Sequence, residues 1–370
     1  MATTNGGVVN ELAVPPTIAG HDNSPTVNGI VTGESASKPL TIDGIAARRA
    51  KAGKLKAGTA AYSDSDMFKS PQAYNQPKAK RWDHILSPEA IAREPCVLKQ
   101  AAGAHLKKPG MLSLGGGLPS SDNFPFESIS MQVPHAPLFD KASTEAPEST
   151  ITIGKHDVRD KDGVLDLSIA LNYGQAVGSA QLLRWVTEHT ELVSHPPYAD
   201  WRCALTIGST GALDSALRIF CDRNRRDSVL TEEYSFSTAL ETIAPLGIKV
   251  FGVRIDEQGI VPQSLDDILS NWDEGARGAR KPTVLYTVPS GQNPTGATMG
   301  LQRRKEVYNV CSKHDVYIFE DEPYYYLQMP SYDKTNSAAR PGAVDAASDQ
   351  STEDFLKSLI PTLLSIDARG

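Results

Sequence analysis

Nowhere do these 370 residues contain an apolar run approaching the ~18 residues that a membrane-spanning helix needs, so no membrane partner is expected. Paired cysteines are also missing. The four present, Cys96, Cys203, Cys221 and Cys311, are scattered, which argues against both a disulfide framework and a zinc site. The eight histidines form no HExxH or comparable ligand spacing. Positive charge is not in excess: the net charge is −7, a field that does not favour nucleic acid or an anionic lipid surface. The first sixty residues contain no aromatic residue and are rich in Gly, Pro, Ser, Thr and Asn. Such a stretch cannot bury enough apolar surface to offset its ordering entropy, and roughly residues 1–40 read as disordered. The opening MATTNGGVVNELAVPP has neither the basic nor the apolar region of a secretory signal, so a cytoplasmic location is expected.

What is present begins with an ordinary globular composition, 40% hydrophobic and 22% charged. The stretch IAARRAKAGKLKAG carries Arg48, Arg49, Lys51, Lys54 and Lys56. It is short and lacks interleaved aromatics, which favours a solvated arm over a nucleic-acid contact. From about residue 200, short β-rich runs alternate with helical ones. CALTIGS, SVLTEE, KVFGVRI, TVLYTVP, VYIFEDE and LLSIDA read as strands. GALDSALRIFCDR, YSFSTALETIAPLG, SLDDILSNW and LQRRKEVYNVCSKH read as helices, and Ser264 and Asp267 have capping-box spacing. This alternation predicts an α/β fold with a mostly parallel sheet flanked by helices, in which ligands collect where strands end and helices begin. KASTEAPESTITIGKHDVRDKDG and SYDKTNSAARPGAVDAASDQSTED read as surface insertions.

Three segments at such junctions carry chemistry. In TIGSTGALDSAL, Gly208, Ser209 and Thr210 lie where a strand meets a helix, whose free amides and positive dipole end suit a phosphate. Ser or Thr at a helix start is more often only a cap. In TVLYTVPSGQNPTGAT, Asn293-Pro294-Thr295-Gly296 follow a strand. As a turn this is unremarkable, but an amide there could bond a phenolic oxygen. In VYIFEDEPYYYLQ a strand ends in Glu320, Asp321 and Glu322, followed by Pro323 and three tyrosines. Three acids are either a hydrated strand end or a carboxylate awaiting a cationic nitrogen, because a buried unpaired charge is costly.

Together GST, NPTG and D-x-P-Y, in this order and spacing, resemble fold-type I aminotransferases dependent on pyridoxal 5′-phosphate (PLP). The closer likeness is to fungal aromatic and kynurenine/2-aminoadipate aminotransferases. LSLGGGLPSSDNFPF and ALNYGQAVGSAQLLRWV add to it, and the likeness runs from about Trp82 to the last residue. The resemblance implies that Asp321 pairs with the pyridine nitrogen, that Asn293 and Tyr324 bond the ring's phenolic oxygen, and that Tyr234 covers the ring face. It implies Ser209 and Thr210 at the phosphate, and Tyr173 reaching the phosphate of a neighbouring subunit in a homodimer. Gly117 and Asn293 are implied at the substrate. Three spans follow: 1–80, a mostly disordered extension; 81–130, an N-terminal arm and the start of a small domain; and 131–370, an incomplete PLP-binding large domain, the small domain being largely missing.

One departure bears on activity. The family's Schiff-base lysine follows a strand matching LLSIDARG, and the sequence ends at Gly370 before that point. After Asp321 only Lys334 and Lys357 occur, neither in a matching context. The expectation is a C-terminally truncated member, poorly soluble or unstable and inactive alone. The activity implied for the family is transfer of an amino group from an aromatic amino acid, kynurenine or 2-aminoadipate to a 2-oxo acid such as 2-oxoglutarate. The alternatives are a non-catalytic regulator or dimer partner on the same fold, and a decarboxylase or carbon–carbon synthase. Nucleic acid is not an expected partner.

Overall fold

The structure, a computed structural model, describes residues 40–55, 62–97, 110, 117–134, 139–161, 163–328 and 351–367. These lie within one compact unit, Pro39–Gly370. Residues 1–39, Lys334 and most of the polar stretch 331–354 lie outside the described residues.

Helix α1 (Ile42–Ala52) is capped by Thr41 and carries part of the basic arm, which is not wholly solvated: Nε and Nη2 of Arg48 are buried. Arg49 of that arm does not await an outside partner: it pairs with Glu188, at 2.5 Å. Within the span 1–80, expected to be mostly disordered, Phe68 and Ala73 are each only 6% exposed, and the buried Lys69 lies over the Trp201 ring. Strands β1 (Ser128–Gln132) and β2 (Thr150–Gly154) form an antiparallel pair, so the stretch 141–163 expected as an insertion contributes a strand. Helix α2 (Ala180–Ser194) follows.

The second half is built on one parallel sheet. Helix α3 (Gly208–Phe220) leads to β3 (Ser228–Glu232), helix α4 (Ser237–Ile243) and β4 (Lys249–Val253). A small antiparallel hairpin, β5 (Ile255–Asp256) and β6 (Gly259–Ile260), precedes helix α5 (Pro262–Ser270). Then come β7 (Val284–Thr287), helix α6 (Leu301–His314) and β8 (Tyr317–Glu320). The strand order is β4-β3-β7-β8, all parallel. β3 and β7 are buried at every position, as central strands of a sheet covered on both faces must be.

Alternation along the strands sorts their side chains into two cores. Val229, Val284, Tyr286, Tyr317 and Phe319 face Leu217 and Phe220 of α3 and Ile243 of α4. Leu230, Leu285, Ile318 and Phe251 face Leu265 and Leu269 of α5 and Val307 and Cys311 of α6.

Three local expectations are corrected. CALTIGS forms no strand: Cys203 N–H bonds Ser65 Oγ, Leu205 N–H bonds Val177 O, and Ile207 is 97% exposed. Its backbone is thus committed to loop partners rather than to a ladder. LLSIDA forms a short helix, α7 (Leu363–Ile366), capped by Thr362. The Glu320 carboxylate accepts from Leu363 N–H and Leu364 N–H at 2.7 and 3.2 Å, satisfying two free amides of a helix start. Ser264 is not a cap, because Pro262, with its preset φ, begins α5 two residues earlier and the N-cap Val261 makes no side-chain bond.

Candidate active site

Because β3, β7 and β8 are adjacent and parallel, their carboxyl ends share one edge, and two of the three segments singled out in the sequence, with Tyr234, emerge there. Tyr234 lies two residues beyond β3, Asn293 in the loop after β7, and Asp321 directly after β8. Asp321 N–H bonds Thr287 O at 3.0 Å, extending the β7–β8 ladder by one step. Its side chain has the parity of Tyr317 and Phe319, and so lies on the face of α3 and Tyr286. Tyr286 O–H donates to Asp321 Oδ2 at 2.9 Å. Burial, and then the charge of Asp321, raise the Tyr286 phenol well above the usual range, so it remains a donor at neutral pH.

Alternation also explains the run of three acids. Glu320 and Glu322 have the opposite parity and turn to the other face, where the guanidinium of Arg304 on α6 meets them at 3.3 and 2.9 Å. Burial raises the Glu320 carboxyl to about 7 and raises Glu322 as well, with Arg304 opposing the shift in both. Only the middle acid faces the candidate site.

The loop after β7 is tightly closed. Gly291 N–H bonds Thr298 Oγ1 at 2.9 Å and Met299 N–H bonds Pro289 O at 2.9 Å. The Asn293–Pro294 peptide is cis. Gly291 adopts φ +57°, where a side chain is strained, and its Cβ would stand 3.4 Å from Tyr324 Cβ. Loop and tyrosine are therefore in contact. Gln292, 2% exposed, ties the loop to the segment after β3: its Nε2 donates to Tyr234 O at 2.6 Å, while its Oε1 accepts from Thr295 N–H at 3.0 Å. Glu232, at the end of β3 and 1% exposed, accepts from Thr287 Oγ1 at 2.5 Å and Val288 N–H at 3.0 Å. Its second oxygen has no partner among the described residues, and burial raises its carboxyl above the usual range.

Ser209 and Thr210 occupy the exposed first turn of α3, which has no side-chain cap. They therefore do not serve as its cap. Leu213 of the same helix packs on the core that also receives Tyr324. Tyr234 is 61% exposed and Tyr173 is 64% exposed. Among the described residues, the side-chain polar groups of Ser209, Thr210, Tyr234, Asn293 and Tyr324 make no hydrogen bond. Gly117 has φ +59°, a conformation that favours glycine, and a Cβ there would meet nothing within 4 Å. Lys357 is exposed and pairs with Asp354 at 3.4 Å. No cluster of three or more His, Cys, Asp or Glu able to hold a metal occurs among the described residues.

The arrangement suits a flat, anionic, nitrogen-bearing ring. It offers a carboxylate backed by a phenol, an exposed aromatic face, uncommitted amide and hydroxyl groups, and a helix N-terminus with two free hydroxyls. Tyr286, Glu232, Gln292 and Arg304 were not singled out from the sequence. Arg304 had a signal there: it shares the buried face of its helix with Val307 and Cys311, where a charge needs partners, and two surplus acids lie downstream.

Comparison with known proteins identifies the family. The family described as aminotransferase class I and II matches residues 155–347. An aromatic amino acid aminotransferase of Schizosaccharomyces pombe is 42% identical over 292 residues, covering 79% of this chain and 60% of the relative. An L-tyrosine:2-oxoglutarate aminotransferase of Serpula lacrymans is 36% identical, covering 66% of this chain and 46% of the relative. The crystal structure of the aminotransferase Aro8 from Candida albicans superposes with a TM-score of 0.69 at 40% identity, covering 80% of this chain and 60% of that one. The chain thus spans about half to three-fifths of the length of these relatives.

Proposed function

Because this chain belongs to the class I and II aminotransferases, we propose that the shared strand edge grips PLP and serves the transfer of an amino group from an aromatic amino acid to a 2-oxo acid such as 2-oxoglutarate. Bound there, PLP would supply an electron sink for the charge left when a proton leaves the amino acid's Cα. This chain's residues do the rest of the holding. Asp321 keeps a proton on the ring nitrogen by charge-assisted hydrogen bonding, and Tyr286 fixes the carboxylate from behind. Asn293 and Tyr324 direct their free polar groups to the ring's phenolic oxygen, and Tyr234 covers a ring face. Ser209, Thr210 and the uncapped amides of α3 receive the phosphate. Gly117 leaves room on the substrate side. In a homodimer, the exposed Tyr173 would reach the partner's phosphate.

The observation that carries the reading is the splitting of the acids: Glu320 and Glu322 are consumed by Arg304, while Asp321 is held toward the aromatic face and its free donors. The relatives compared are aminotransferases, which favours this reading over a non-catalytic regulator on the same fold. Titrating the chain with PLP and following its absorption tests the proposal. Saturable binding that weakens at least ~10-fold, about 1.4 kcal/mol, in Asp321→Asn supports it. Binding that is absent, or indifferent to that change, refutes it.

A further inference from the structure

We propose that Arg304 is the positioning residue that fixes the relation between the two halves of the ring grip, the loop bearing Asn293 and the strand end bearing Asp321. The proposal rests on the PLP reading above and goes beyond it. Arg304 is 0% exposed and lies on α6, on the opposite face of the sheet from Asp321, so it acts through other residues. Its Nε donates to Met299 O at 3.1 Å and its Nη2 to Ser290 Oγ at 2.7 Å, one contact near each end of the loop. Its Nη1 donates to Glu322 Oε1 at 2.9 Å and Glu320 Oε1 at 3.3 Å, the two neighbours of Asp321. Ser290 Oγ closes the circuit by donating to Glu322 Oε1 at 3.1 Å. One rigid fork therefore grips both ends of one segment and both flanks of the other.

Stability alone is a poor account of this cluster. Two carboxylates share one guanidinium, and Glu322 Oε2 has no partner among the described residues. Buried ion clusters of this kind are often replaceable by apolar side chains of similar volume at little or no cost in stability. What apolar residues cannot do is hold two backbone segments at set distances through directional bonds. Lysine cannot either, being a point charge on a flexible stem. At metal sites, removing groups that orient the ligands from behind commonly costs ~10–100-fold in affinity or activity, and a comparable loss is expected here.

The test compares wild type, Arg304→Lys and the neutral triple variant R304M/E320Q/E322Q in PLP titrations, with thermal melts as the folding control. In both variants the melt is expected to stay within a few degrees of wild type while PLP binding weakens at least ~10-fold. The absorption band of bound PLP is expected to shift toward that of Asp321→Asn, a signature a merely structural residue would not move. Wild-type affinity and band position in Arg304→Lys would overturn the proposal, even if the triple variant fails to fold. A wild-type chain that does not bind PLP would overturn the PLP reading, and this proposal with it.

Discussion

The parallel sheet and the β1–β2 hairpin are both made of short strands, yet they are different kinds of object. In the sheet, helices cover both faces and the central strands β3 and β7 are buried throughout. In the hairpin, every residue of β1 is exposed, and Ile129, Met131 and Ile151 stand 38–43% open. The hairpin is held by its ladder and by cross-strand contacts such as Ser130 Oγ with Thr152 Oγ1 at 2.8 Å. The lesson is that the proposed ring grip sits where packing over-determines the backbone. Asp321, Asn293 and Tyr234 follow strands whose slip by one residue would exchange the side chains of the two cores.

Four substitutions probe this contrast, beginning with the largest effect. Leu285→Ala, at a fully buried position on β7, is expected to cost ~2–5 kcal/mol in denaturant unfolding. A cost similar to that of a hairpin substitution would abolish the distinction. Tyr286→Phe removes the phenol behind Asp321 and should cost about 0.5–1.5 kcal/mol of PLP binding in the same titration, with the fold intact. Glu320→Gln addresses the back of the sheet through pH. With the folded carboxyl raised to about 7 from the ordinary 4.5, mainly by burial, its contribution is complete below the unfolded value and is lost as pH rises through about 7. The melting temperature of wild type should therefore fall between pH 5 and 7.5, and the variant should show a shallower fall. Met131→Ser on the hairpin should change stability by less than ~0.5 kcal/mol, as an exposed change usually does.

The same contrast governs what the sequence disclosed. Buried parallel strands write themselves as apolar runs bounded by turns, and SVLTEE, KVFGVRI, TVLYTVP and VYIFEDE formed where the pattern placed them. CALTIGS and LLSIDA have the same local pattern but became a loop and a short helix, because a strand also needs a neighbour, which no local pattern specifies. The acid run at 320–322 was legible as a puzzle; its answer required knowing that α6 presents Arg304 to the far face. Gln292 and Glu232 were silent because their work is to hydrogen-bond a neighbouring strand's loop, a long-range relation. Ser209, Thr210, Tyr234, Asn293, Tyr324 and Tyr173 stand with free polar groups or exposed side chains, and their roles were legible only through the family resemblance, because their proposed partner is a ligand and not another residue.

The most direct test reads the proton on the ring nitrogen. PLP labelled with nitrogen-15 in the ring would be bound to the chain at a pH where the free ring nitrogen is unprotonated, and its chemical shift recorded for wild type and Asp321→Asn. A protonated shift in wild type that is lost in the variant is predicted; an identical shift in the two would contradict the central claim that this strand edge grips PLP through Asp321.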